Sequence, residues 1–187
     1  MRKLFLFIVC FILFGVGIKA QRFPQAVLPG DYPDPSILRD GKDYYMTHSP
    51  FYYAPGFLIW HSTDLMRWEP VCQALPEYEG SAMAPDLLKY QNRYYIYYPT
   101  STGENYVIYA DNIRGPWSKP VKLDVKGIDP GHVVGEDGKR YLFTNNGWIT
   151  PLSDDGLKVT GKSRKVYDGW EYPANWVTEG KDMYLES

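Results

Sequence analysis

Apolar and aromatic residues come in short runs along this chain, cut off by Asp-Gly, Gln-Asn, Pro and Gly, and no stretch repeats them at the spacing of a helical face. Tyr94 to Tyr98, Tyr106 to Ala110 and Tyr141 to Thr144 therefore read as strands, since aromatic and β-branched runs suit a pleated, half-buried surface. Gly (17) and Pro (15) punctuate the whole length. The pattern predicts an all-β protein with little helix.

The runs also recur in register. Asp34 opens Asp34-Pro35-Ser36-Ile37-Leu38, followed by a turn at Asp40-Gly41 and by Tyr44-Tyr45-Met46. Asp86 opens Asp86-Leu87-Leu88, then Gln91-Asn92 and Tyr94-Tyr95-Ile96, and Asp129 opens Asp129-Pro130-Gly131-His132-Val133-Val134, then Asp137-Gly138 and Tyr141-Leu142-Phe143. A second marker keeps the same beat: Leu65 before Trp68, Ile113 before Trp117, and Leu157 after Asp154-Asp155-Gly156. Repeats of 43 to 52 residues match propeller blades, each a small sheet that cannot bury its faces alone. In such an array the strand after each acid lies nearest the axis, so the acids converge there. Taken singly, each acid is an ordinary turn residue, because Asp before Pro and Asp-Gly both open turns. Trp68 and Trp117, recurring in register, read as blade packing.

Composition narrows the partners. The formal charge is -2 and no basic run suggests nucleic acid, whereas 17 Tyr, 8 Phe and 6 Trp suit both strand packing and the stacking of sugar rings. Residues 1–20 read as a secretory signal peptide, with Arg2 and Lys3 ahead of an apolar stretch from Leu4 to Ile18 and a small residue, Ala20, for cleavage. That stretch is shorter than the ~20 residues of a membrane span. Residues 21–187 would then form a secreted or periplasmic domain with no membrane span. Cys10 leaves with the signal, so Cys72 stays alone as a small packing residue, and no intrachain disulfide is possible. His48 and His61 have no Cys or Asp spacing of a zinc site, and no metal or other cofactor is expected.

At Tyr32-Pro33-Asp34-Pro35-Ser36, Ala84-Pro85-Asp86, Gly127-Ile128-Asp129-Pro130 and Leu185-Glu186-Ser187 the chain resembles glycoside hydrolase family 43. The resemblance runs from about Leu28 to the last residue. It implies a five-bladed β-propeller, of which this chain covers about three blades and the start of a fourth, truncated at its C-terminal side. It implies inverting hydrolysis of β-xylosides or α-L-arabinofuranosides, with a carbohydrate as the partner. On the matching motifs, Asp34 is the general base, Asp129 orients the acid and tunes its pKa, and Glu186 is the general acid. Glu179 competes for that last role, because it also precedes a glycine; Glu186 is preferred since Tyr184-Leu185 leads into it as an inner strand would. The chemistry fits these residue types, as inversion needs one protonated carboxyl for the leaving oxygen and one ionised carboxylate for the water. Phe51, Tyr52 and Tyr53 are candidates for a stacking platform, His132 for the funnel lining, and Met83 stands where the family commonly has Trp. Two other readings stay open: a secreted carbohydrate-binding propeller without catalysis, and a five-bladed enzyme of the fructosidase or mannoside phosphorylase type.

Overall fold

The structure, a computed structural model, describes residues 26–77 and 80–166. Three antiparallel four-stranded sheets follow one another, each with its strands in chain order. The first holds β1 (Ser36–Asp40), β2 (Asp43–Thr47), β3 (Gly56–Ser62) and β4 (Glu69–Leu75). The second holds β5 (Asp86–Tyr90), β6 (Arg93–Pro99), β7 (Asn105–Ala110) and β8 (Val121–Leu123). The third holds β9 (Gly131–Val134), β10 (Arg140–Thr144), β11 (Trp148–Pro151) and β12 (Arg164–Lys165). Neighbouring sheets meet through their first strands, β1 against β5 and β5 against β9. These are three consecutive blades of a β-propeller, the architecture the repeats predict. Among the described residues the only helical piece is a short turn, Asn145–Gly147.

Strand β6 shows why the aromatic runs are continuous. Successive side chains point to opposite faces of a strand. Tyr94, Ile96 and Tyr98 enter the core between blades one and two, whereas Tyr95 and Tyr97 enter the core between blades two and three. Both faces of the middle blade are buried, so the alternation of apolar and polar residues disappears. Phe57, Ile59, Leu87 and Ile108 complete the first seam. Each such buried side chain contributes on the order of 2 kcal/mol. At the far end of this seam the Asp40 carboxylate accepts bonds from Lys89 Nζ at 2.7 Å and Tyr94 Oη at 2.6 Å, and the lysine, then the tyrosine, holds that carboxyl below its ordinary range. Cys72, half-buried, donates its thiol to the Ile113 carbonyl at 3.3 Å, and burial pushes the thiol up.

The second seam is built around a cation. Arg140 is 1% exposed, and its guanidinium lies 4.3 Å from the Tyr90 ring centre and 4.5 Å from that of Tyr95. It donates to Tyr97 Oη and the Asp154 carbonyl, both at 3.1 Å, and to His132 Nε2 at 2.9 Å. The two π faces and three acceptors replace water around the charge. Gly156, at φ 73°, makes room for the cation and its tyrosine partner: a Cβ there would collide with the Tyr97 hydroxyl and would meet the guanidinium at 2.6 Å.

The second sequence marker is a set of local turns. Asp64 Oδ1 accepts the Met66 and Arg67 N–H groups, Asn112 Oδ1 that of Arg114, and Asp155 Oδ1 that of Leu157. The indoles of Trp68 and Trp117 donate to the Leu65 and Ile113 carbonyls, both at 3.2 Å. These tryptophans are fixed at blade corners, as their recurrence suggests.

The first marker needs a correction. Strand pairing sets Ser36 opposite Thr47, Asp86 opposite Tyr97, and Gly131 opposite Phe143, so these three openers are equivalent. The residue equivalent to Asp34 and Asp129 is Ala84, two places before Asp86. All three sit in the left-handed region, at φ 51°, 38° and 55°, and each precedes a proline. Proline marks the register here and the acid does not.

Candidate active site

Each of the three left-handed turns is tied to the far end of its own blade's second strand. Ser49 N–H donates to the Pro33 carbonyl at 2.9 Å, and Asn145 N–H to the Ile128 carbonyl at 2.8 Å. In blade two the equivalent residue, Pro99, has no N–H, and the bond reverses: Met83 N–H donates to the Pro99 carbonyl at 3.0 Å. Asp34, Ala84 and Asp129 therefore stand at one end of the three inner strands, with both carboxyl-bearing residues exposed. A non-glycine residue at positive φ costs on the order of 1 kcal/mol or more, and such strain gathers at functional sites.

Asp34 is held by Ser49 of its own blade, which is held in turn from the next. Ser49, 3% exposed, donates its hydroxyl to Asp34 Oδ2 at 2.6 Å, and Ser49 Oγ in turn accepts the Ala84 N–H at 2.6 Å. The turn of Asp129 is clamped on both flanks. Asn145 Oδ1 accepts the Ile128 N–H at 3.0 Å, and buried Asn105 donates to the Gly127 carbonyl at 2.9 Å. On the other flank the His132 N–H donates to Asp86 Oδ2 at 2.7 Å. Ser36 Oγ does the same for the Leu87 N–H at 2.9 Å, so an inter-blade link recurs with a hydroxyl in blade one and a carboxylate in blade two. Burial pushes Asp86 up to about 6, against the lowering effect of the His132 N–H. Asp86, prominent in the sequence, thus works at the seam.

The remaining expected residues divide. Phe51, at φ 47° and bonded through its N–H to the Ala82 carbonyl, lines a cavity of about 240 Å³ with Tyr32, Pro33, His48, Ser49 and Tyr53. Tyr52 and Tyr53 are 76% and 80% exposed, open to a passing ligand. Met83 is half-buried beside Ala84 at the same end. His132 turns into the seam: its ring stacks on Tyr97 and meets the edge of Tyr90, and its Nε2 accepts from Arg140, which places the proton on Nδ1. Burial, then the Arg140 charge, pushes it down to about 4, so it stays neutral. His48 is buried against Tyr32, and His61 pairs with Asp43 at 2.7 Å. Glu186 and Glu179 lie outside the described residues, as does the signal segment. Among the described residues no cluster of His, Cys, Asp or Glu is suited to a metal ion, and no helix is long and apolar enough to cross a membrane. Sequence reasoning missed Ser49, Asn105 and Asn145; the only signal was that Ser49 and Asn145 lie just beyond a second strand.

With Asp-Pro turns repeated at one end of a propeller, the comparison with known proteins is decisive. Residues 23–186 match the family model described as glycosyl hydrolases family 43. The chain belongs to that family. A Humicola insolens protein called xylosidase/arabinosidase 43B is 36% identical over 189 residues, covering 84% of the family 43 chain and 34% of the relative. A Bacillus subtilis beta-xylosidase is 31% identical over 195 residues, covering 88% of the chain and 36% of the relative. The crystal structure of the GH43 BlXynB protein from Bacillus licheniformis superposes with a TM-score of 0.70 at 32% identity, covering 80% of the chain and 34% of that structure. The family 43 chain thus spans about a third of the length of the relatives it matches.

Proposed function

We propose that this chain is the catalytic portion of an exported glycoside hydrolase that cleaves β-xylosides or α-L-arabinofuranosides with inversion at the anomeric carbon. The observation that carries this reading is the pair of aspartates, Asp34 and Asp129, in equivalent strained turns at one end of the blades, the first gripped by a buried hydroxyl. The names of the relatives support the substrate class. In this reading ionised Asp34 takes a proton from water attacking the anomeric carbon, while Glu186 protonates the departing oxygen on the opposite face. Asp129 sets its negative charge beside that acid, which disfavours a second ionisation and keeps Glu186 protonated. Phe51, with Tyr52 and Tyr53 at the rim, offers ring faces to the sugar, and Met83 shapes the floor near blade two.

The test uses the enzyme made from the complete gene. Following the first-formed sugar by proton NMR, β-xyloside cleavage should release the α anomer before mutarotation. Asp34→Ala should abolish turnover on every substrate, whereas Glu186→Ala should spare aryl glycosides whose leaving group departs without protonation. Release of the β anomer would refute inversion. Equal losses for both variants on aryl and natural substrates would refute the division of labour.

A further inference from the structure

A hydroxyl has one proton and two lone pairs. In Ser49 the Ala84 N–H occupies one acceptor position from blade two, the side chain is buried, and the proton is delivered to Asp34 Oδ2. The serine cannot swing aside without breaking both bonds, and its backbone N–H is committed to Pro33. We propose that Ser49 is a positioning residue for Asp34: it fixes one carboxylate oxygen so that the other, Oδ1, is presented to the attacking water. This rests on the reading of Asp34 as the base.

The three blades provide an internal comparison. Where the turn carries an acid, the residue at the end of the second strand has a side chain able to hydrogen-bond: Ser49 for Asp34, and Asn145, whose Oδ1 grips the Ile128 N–H, for Asp129. Where the turn carries Ala84, that residue is Pro99, which has neither a side-chain polar group nor an N–H. A polar side chain at this position accompanies the acid in blades one and three and is missing with it in blade two, although only Ser49 bonds the carboxylate itself. Blade two closes its turn without such a residue, through the Met83 N–H to the Pro99 carbonyl and, from blade one, the Ala84 N–H to Ser49 Oγ.

The experiment compares Ser49→Ala, Ser49→Thr, Ser36→Ala and Asp34→Ala in the enzyme from the complete gene. Ser36 is the matched control, since its hydroxyl also ties blade one to a blade-two N–H, that of Leu87, without touching Asp34. Ser49→Ala should lower kcat roughly 10- to 100-fold, equally on aryl and natural glycosides, with KM within about twofold, as expected when a reacting group is displaced. Ser49→Thr should recover most of the loss, and Ser36→Ala should change kcat less than about threefold while lowering the melting temperature as much as Ser49→Ala does. A Ser49→Ala enzyme no slower than Ser36→Ala overturns the proposal, as does a rise in KM with kcat unchanged. If Ser49→Thr does not fold, the comparison of the two alanine variants decides alone. If Asp34→Ala stays active, the base assignment falls and this inference with it; if Asp34→Ala is dead and Ser49→Ala is unimpaired, only this inference falls.

Discussion

Asp86 and His132 meet at one hydrogen bond and titrate in opposite senses. The Asp86 carboxyl, pushed up to about 6, is above its unfolded value of about 3.9, so the folded chain binds more protons between those limits. Its contribution to stability therefore weakens as pH rises from about 4 to about 6. His132, pushed down to about 4 from about 6.5 when unfolded, does the reverse: the unfolded chain binds more protons, and stability is lost as pH falls through the same window. Each shift is worth on the order of 2 to 3 kcal/mol, so the two slopes largely offset. Asp86→Asn keeps an oxygen for the His132 N–H and removes one slope. In chemical denaturation that variant should gain about 2 kcal/mol at pH 7 and lose stability toward pH 4.5 more steeply than the unmodified chain. An unchanged pH profile would mean that the carboxyl is not titrating in this window. At this scale the sequence was only partly legible: Asp86 looked like a third funnel acid because its identity repeats, whereas the local geometry repeats two residues earlier at Ala84. The proton preferences of Asp86 and His132 are set by burial against another blade, which no local pattern encodes.

The strands and their turns were legible in the sequence, since aromatic runs and Asp-Gly or Gln-Asn breaks reflect local preferences. What could not be read was which face meets which neighbour. Arg140 follows Gly138-Lys139 in what looks like a solvated turn, yet it is fully buried between two tyrosine rings. Asp155-Gly156 looks like an ordinary turn, yet the glycine is required by the Tyr97 hydroxyl and the Arg140 guanidinium that lie against it. Gly156→Ala should therefore act on the whole second seam. It combines a Cβ at φ 73° with a clash against a buried cation, and should cost about 2 to 4 kcal/mol, read as a fall in melting temperature. Lys158→Ala, on an exposed side chain three places from the turn's start at Asp155, should shift melting far less. If Gly156→Ala melts like the unmodified protein, Arg140 has somewhere else to go.

For the molecule as a whole, export would be visible in its chemistry. Secretion into a periplasm or medium should yield a mature chain beginning at Gln21, measured by intact mass, and with it the loss of one of the two cysteines. Within residues 21–187 that leaves Cys72 as the one thiol to titrate. That group, Cys72, should react with a disulfide reagent far faster after denaturation, because burial pushes the thiol up and the thiolate is the nucleophile. An N-terminal peptide of the exported protein that still contains Cys10 would show that the leading segment is retained. The repeat was the part of the architecture most readable from sequence, because three copies of one pattern constrain each other. Within that repeat, Ala84 keeps the left-handed turn, the following proline and the tie to its own second strand, but contributes only a methyl group. The backbone offers an equivalent seat at the rim of each of the three described blades, and the sequence chooses which seats carry charge. A lineage built on such repeats can add, move or delete a carboxylate by substitutions in the turn and at the strand end facing it, without rebuilding a strand, since the unfavourable φ is already in place.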